Sequence, residues 1–103
     1  MVNIIIYLKE EYNAEELVKF LLSEKLIASA SIDENNVSYK MNNGNFQKEV
    51  FSVITAKSKS LLLSRIITAV EKKTDNEVLI NSTPIVGSNK NFDDLIIGNT
   101  MLI

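Results

Sequence analysis

The chain contains no cysteine and no histidine, one proline (Pro84), one arginine (Arg65) and three glycines. Without cysteine no disulfide can form, so the redox compartment cannot be read from the sequence. The two absences also remove the commonest ligands for zinc and copper, leaving carboxylates, methionines and backbone oxygens. They exclude Ser-His-Asp and Cys-His nucleophilic catalysis. So little glycine and proline argues against disorder and against long flexible linkers.

Charge of one sign is also missing. Ten lysines and Arg65 face thirteen acidic residues, for a net charge of −2. Binding to phosphate backbones needs a dense basic footprint, and Lys72-Lys73 is only a local pair. No nucleic-acid partner is expected. The apolar N-terminal run Val2 to Leu8 is too short for a membrane span or a signal-peptide core, and no basic region precedes it. No membrane partner and a cytoplasmic location are therefore expected. A length of 103 residues, 46% of them apolar, fits one globular domain over 1–103.

The stretch around which the rest is arranged is Val37 to Lys57. Two strand-like runs flank Asn42-Asn43-Gly44. Asn-Gly accepts positive φ at both central positions of a tight turn, which predicts a long β-hairpin. Before it, Val2 to Leu8 reads as a strand buried in the middle of a sheet. Asn13 caps a helix expected from Ala14 to about Lys25, with Ala14, Leu17, Val18, Leu21 and Leu22 on one face. Ile27 to Ile32 reads as a short strand, with a break at Asp33-Glu34-Asn35-Asn36.

After the hairpin, Ser58 or Ser60 is expected to cap a second helix carrying Leu62, Leu63, Ile66, Ile67 and Val70 on one face. Lys72-Lys73 ends it, where positive charge is favoured. Glu77 to Ile80 reads as a strand, and Pro84 places the following segment at a sheet edge, since proline cannot donate to a ladder. Asn91 is expected to cap a short last helix with Phe92, Leu95 and Ile96 on one face. The order β-α-β-β-α-β gives an α+β, ferredoxin-like fold: an antiparallel sheet with helices on one face, a long β2–β3 hairpin and a short C-terminal helix.

Several spellings go beyond pattern. Leu22-Ser23-Glu24-Lys25-Leu26-Ile27-Ala28-Ser29-Ala30 resembles the L-x-E-K-L-A-A-C-A passage from helix to strand in the CutA family. Tyr39, Met41, Gly44, Glu49 and Lys57 fall where that family has its Y-x-W-x-G hairpin, the glutamate after it and a lysine eight residues on. Glu77 matches the glutamate of its H-P-Y-x-x-P-E segment, and Phe92 and Leu95-Ile96 match Tyr and Trp-Ile in its last helix. The resemblance implies a PII-like fold, a homotrimer joined through sheet edges and hairpin, and a role in tolerance of divalent cations, copper above all. The family's cysteine in A-C-A is Ser29 here, and Lys73-Thr74-Asp75-Asn76 replaces its His-Pro-Tyr stretch. A copper site built on Cys or His is therefore absent, and no cofactor is expected.

The resemblance marks Tyr39, Glu49, Lys57, Glu77 and Phe92 as candidates for an inter-subunit cleft that binds a small polar ligand. The simpler reading of Glu49 and Lys57 is an interface salt bridge that fixes register, without any ligand. Asp93-Asp94 and Glu15-Glu16 are acidic pairs that could coordinate a hard cation, and both also fit the electropositive start of a helix. The expected function is that of a non-enzymatic trimeric binding, scaffold or signalling module. The alternatives are a PII-like sensor of a small anion and a small enzyme using Glu49 and Lys57 as acid and base.

Overall fold

Alternation along the first strand decides the architecture. In the computed structural model, which describes residues 1–103, Val2, Ile4, Ile6 and Leu8 of β1 (Val2–Lys9) are buried, while Asn3, Ile5, Tyr7 and Lys9 between them are half-exposed. One face of the sheet is therefore dry and the other open, the division a period of two produces. The dry face is completed by Ile54 and Ala56 of β3 (Asn45–Ser58) and covered by two helices. Ala14, Leu17 and Leu21 come from α1 (Ala14–Ser23), and Ile66 and Val70 from α2 (Leu63–Lys73). Each fully buried Ile or Leu contributes roughly 1.5–3 kcal/mol relative to exposure.

The sheet has the order β2-β3-β1-β4, with β2 spanning Ser29–Asn42 and β4 Leu79–Pro84, and every pairing is antiparallel. Two helical crossovers over a shared hairpin make the ferredoxin-like α+β fold. A last helix, α3 (Lys90–Asn99), follows β4. Its Ile96 is fully buried. The tail beyond it is tied to the body by Met101, whose N–H donates to the Lys25 carbonyl and whose own carbonyl accepts from Lys59 Nζ.

The hairpin outgrows the sheet. β1 pairs with β3 only from Phe51 to Ser58, so Val37 to Val50 forms a two-stranded arm. Its six pairs, Val37 with Val50 through Asn42 with Asn45, span roughly 16–20 Å at about 3.3 Å per residue. The turn is Asn43-Gly44 between paired Asn42 and Asn45, with φ of 52° and 81°. Both central residues have positive φ, as an Asn-Gly hairpin turn requires. Val37, Tyr39, Met41 and Phe46 are exposed on the arm, and Tyr39 stacks on Phe46 with ring centroids 5.4 Å apart.

Several boundaries differ from the sequence reading for identifiable reasons. Helix α1 stops at Ser23 rather than near Lys25, because Lys25 takes φ 56°. Its N–H donates to the Leu22 carbonyl and that of Leu26 to the Leu21 carbonyl, the paired bonds of a Schellman cap. Asp33 to Asn36 is a bulge inside a continuous strand, with Asn35 at φ 59°, not a break. Neither Ser58 nor Ser60 caps α2, which is entered through a 3-10 turn at Ser60–Leu62. Ser58 is instead buried in β3, its hydroxyl donating to the Leu26 carbonyl. Asn89, not Asn91, caps α3 by accepting from the Phe92 N–H. The last strand begins at Leu79, and Glu77-Val78 belongs to the loop before it; Pro84 closes that strand at the sheet edge.

Candidate functional site

A cleft of about 310 Å³ opens where β1 ends, β4 begins and the hairpin arm leaves the sheet. Its floor belongs to the open sheet face. The register sets Tyr7 opposite Val53 and Leu79, and Lys9 opposite Phe51. Tyr7 and Phe51 meet edge-to-face at 5.8 Å, the arrangement their ring quadrupoles favour.

The walls are charged. Asp75, in the loop between α2 and β4, accepts from the Glu77 N–H at 2.8 Å and from the Tyr12 hydroxyl at 3.0 Å. The first bond is an Asx turn, which gives this loop its shape. Lys9 Nζ lies 3.5 Å from Asp75 Oδ2 and 3.4 Å from Glu77 Oε2. Across the mouth, Lys40 and Glu49 form an ion pair at 2.6 Å. They sit diagonally across the hairpin, since Lys40 pairs with Gln47 and Ser38 with Glu49.

These contacts move three protonation equilibria. The Glu77 N–H first, then the Tyr12 hydroxyl and Lys9, hold the Asp75 carboxyl below its ordinary 3.8. Asp75 first, then Glu77, raises Lys9 above its ordinary 10.5. The hydrogen bond to Asp75 raises Tyr12 above 10.0. All three shifts lead away from neutrality, and a general acid or base works best with a pKa near the operating pH. The cleft is built to hold fixed charges and hydrogen bonds.

The structure brings only part of the candidate set together. Glu49 and Glu77 line the cleft. Tyr39 borders a smaller adjoining cavity of about 200 Å³, with its ring stacked on Phe46. Lys57 is eight residues along β3 from Glu49, roughly 26 Å at 3.3 Å per residue, and pairs with Asn3 and Ser29 at the other end of the sheet. In one chain Glu49 has Lys40 as its partner. Phe92 does not line the cleft, and the tail after its helix is anchored at Lys25 and Lys59, far from Lys9. Asp93 accepts from the Ser88 hydroxyl, while Asp94 pairs with Lys90 at 2.7 Å, so the two carboxylates serve different partners.

No group of three or more acidic side chains is arranged to hold a metal ion within the chain. The cleft carboxylates Asp75 and Glu77 already share Lys9, and calcium asks for six to eight oxygens. The donors of a single chain therefore do not fit a resident divalent cation. Residues not among the sequence candidates complete the cleft: Lys9, Tyr12, Lys40 and Asp75.

Fold and cleft together define a PII-like, ferredoxin-type α+β protein with a charged pocket at the root of a long hairpin. A sequence model of the family described as CutA1 divalent ion tolerance protein matches residues 2–98. The chain belongs to the CutA1 family. No curated protein sequence matches it closely enough to count. Solved structures of similar fold include CutA1 from Oryza sativa, at 20% identity and TM-score 0.88, covering 97% of this chain and 93% of that one. The protein described as the periplasmic divalent cation tolerance protein CutA from Archaeoglobus fulgidus matches at 25% identity and TM-score 0.85, over 96% and 98%. The PII-like protein CutA from Nostoc sp. PCC 7120, in apo form, matches at 17% and 0.86 over the whole of both chains. No helix of the chain is long and apolar enough to cross a membrane.

Proposed function

We propose that this chain is a homotrimeric, non-enzymatic binding or signalling module of the divalent-cation tolerance class, formed by residues 1–103 as a single domain. The observation that carries the self-association is the open sheet face. Tyr7 and Val53 lie on it beside Leu79, which is 59% exposed, and the projecting arm carries Val37, Met41 and Phe46 exposed on its other face. Apolar surface concentrated on one sheet face and one projecting arm marks a protein interface. Asn3 adds to the case: its Oδ1 on the same face is shielded from solvent yet has no hydrogen-bond partner. A donor from a second chain would satisfy it.

The number three comes from the family resemblance. In such an assembly Lys57 and Phe92 approach the cleft of Glu49 and Glu77 from another chain, while Tyr39 borders it from its own. The cleft is the ligand site of this reading. Three carboxylates (Glu49, Asp75, Glu77) against two lysines (Lys9, Lys40) favour a cationic or neutral polar molecule over an anion. That balance weighs against the anion-sensor alternative, and within one chain Glu49 and Lys57 stand about 26 Å apart along β3, too far to act together as acid and base. Copper or another divalent cation enters as cargo or signal, on ligands contributed by more than one chain. A cytoplasmic location belongs to the same proposal and is tested by cell fractionation.

Native mass spectrometry of protein purified without added metal tests the reading. A particle of three times 11.6 kDa is expected. A monomer at micromolar concentration sinks it, and a dimer removes the trimeric arrangement.

A further inference from the structure

On the opposite side of the molecule a groove of about 550 Å³ runs between α1 and α2. Its floor is apolar: Phe20 and Leu26 on one side, Ala69 and Met101 on the other. Its rim is basic. Arg65, Lys72 and Lys73 all border it against the single acid Glu24, in a chain whose net charge is negative. None of the three cations has a carboxylate within 4.0 Å, the ion pairs of the chain being made by Lys9, Lys19, Lys40 and Lys90. Arg65 Nη1 rests 3.0 Å from Met101 Sδ, a weak acceptor, and Lys73 Nζ lies 4.3 Å from the centroid of the Phe20 ring. The sole arginine is thus exposed beside an apolar trough without an anionic partner.

We propose that this groove docks an acidic peptide segment of a partner protein, one large apolar side chain seated on the floor and carboxylates flanking it. Charge complementarity decides the sign of the partner. Spacing decides its form. Arg65 and Lys72 are two turns apart on α2, about 10 Å at 1.5 Å per residue, so they engage two acidic residues separated by about that distance. Residues seven apart on a helix meet this condition, and on an extended strand residues two or four apart, which share a face, bracket it at about 7 and 13 Å. A lipid surface fits less well, because it calls for protruding apolar groups, whereas Phe20, Ala69 and Met101 are recessed between helices and only half-exposed. Nucleic acid fits less well because the basic patch is too small to follow a phosphate backbone. The groove lies on the helical side, so the proposal does not depend on the self-association proposed above.

Selection of a random peptide-display library on the purified protein is the test. The peptides retained should carry Asp or Glu on both sides of a Leu-, Phe- or Met-sized residue. When resynthesised, they should shift amide resonances of the C-terminal half of α1 and of α2. The Arg65→Glu/Lys72→Glu double variant, confirmed as folded by its circular dichroism melt, should lose affinity by roughly tenfold or more. Arg65→Lys, and Lys48→Glu on the hairpin arm, should retain it. The proposal is overturned if no peptide is enriched, if enriched peptides lack the acidic flanks, or if the double variant binds them unchanged. It is equally overturned if phosphatidylglycerol vesicles, and not peptides, are the probe that responds to the double substitution.

Discussion

The Tyr12 hydroxyl donates to Asp75 Oδ2 over 3.0 Å, joining residues 63 apart in sequence. With the Glu77 N–H and Lys9 on the same carboxylate, this one side chain ties together the end of β1, the loop into α1 and the loop into β4. The cleft is therefore held from behind by the fold's own loop contacts, and in front by the Lys40–Glu49 pair on the arm. A ligand there would meet side chains already fixed, which lowers the entropy cost of binding.

The carboxylate at the centre of this network predicts how stability depends on pH. Asp75 titrates below its ordinary 3.8 in the folded chain, so its contribution is complete above that value and is lost as pH falls through the lower, folded value. Lys9 titrates above 10.5, so its contribution is complete below that and is lost as pH rises through the higher folded value. Thermal melts should show Asp75→Asn a few degrees less stable than wild type at neutral pH. The gap should close in acid, below the ordinary carboxylate range, and shrink in high salt because the groups are partly exposed. A gap that persists undiminished in strong acid would show that Asp75 acts through shape and not through charge.

Ser58 makes a different kind of bond. It is fully buried and its hydroxyl donates to the carbonyl of Leu26, just beyond the Schellman cap of α1. Ser58→Ala leaves that carbonyl without its partner in a dry environment, at a cost of about 1–3 kcal/mol. Ser23→Ala removes an exposed hydroxyl bonded to the Lys19 carbonyl and should change stability by no more than about 0.5 kcal/mol. Equal values for the two in denaturant titrations would contradict the assigned role of Ser58.

The order of elements was legible because it is written in local periods: alternation in β1, helical stripes in α1 and α2, Asn-Gly at the turn. The ends of elements were less legible. Lys25, Ser60 and Asn91 each lie one or two residues from the position that acts, and tertiary contacts such as the Lys25 carbonyl bond from Met101 help fix the choice. The cleft was half visible. Glu49 and Glu77 came from family spelling, whereas Lys9, just past the expected first strand, and Asp75, in the stretch that replaces His-Pro-Tyr, carried no site signal. Their meeting depends on the β1–β4 pairing, which no local pattern encodes. Lys40 could have been found: a two-residue turn at Asn43-Gly44 pairs residues 40 with 47 and 38 with 49, and so sets Lys40 diagonal to Glu49.

The turn itself gives a prediction free of packing effects. A Cβ added at Gly44 would meet nothing within 4 Å, but its φ of 81° lies in the left-handed region. Gly44→Ala should therefore cost about 1–2 kcal/mol through the backbone alone. Gly44→Asn should cost less, because asparagine tolerates that region, as Asn43 already does at φ 52°. Both variants at wild-type stability would mean that the turn shifts to another register, which hydrogen exchange along the arm would reveal.

The proposed assembly makes the sharpest demand on Leu79. This residue is 59% exposed at the start of the edge strand, on the open sheet face opposite Tyr7, so a charge there has little effect on the core of one chain. In an interface it would be buried against apolar partners, and an unpaired carboxylate in that setting is strongly unfavourable. Leu79→Glu should keep its circular dichroism spectrum while its light-scattering mass falls towards that of a single chain. Leu61→Glu, at a residue 75% exposed in the 3-10 turn leading into α2, should keep the wild-type mass. An assembly that survives Leu79→Glu and comes apart with Leu61→Glu would move the interface from the open sheet face to the helical side.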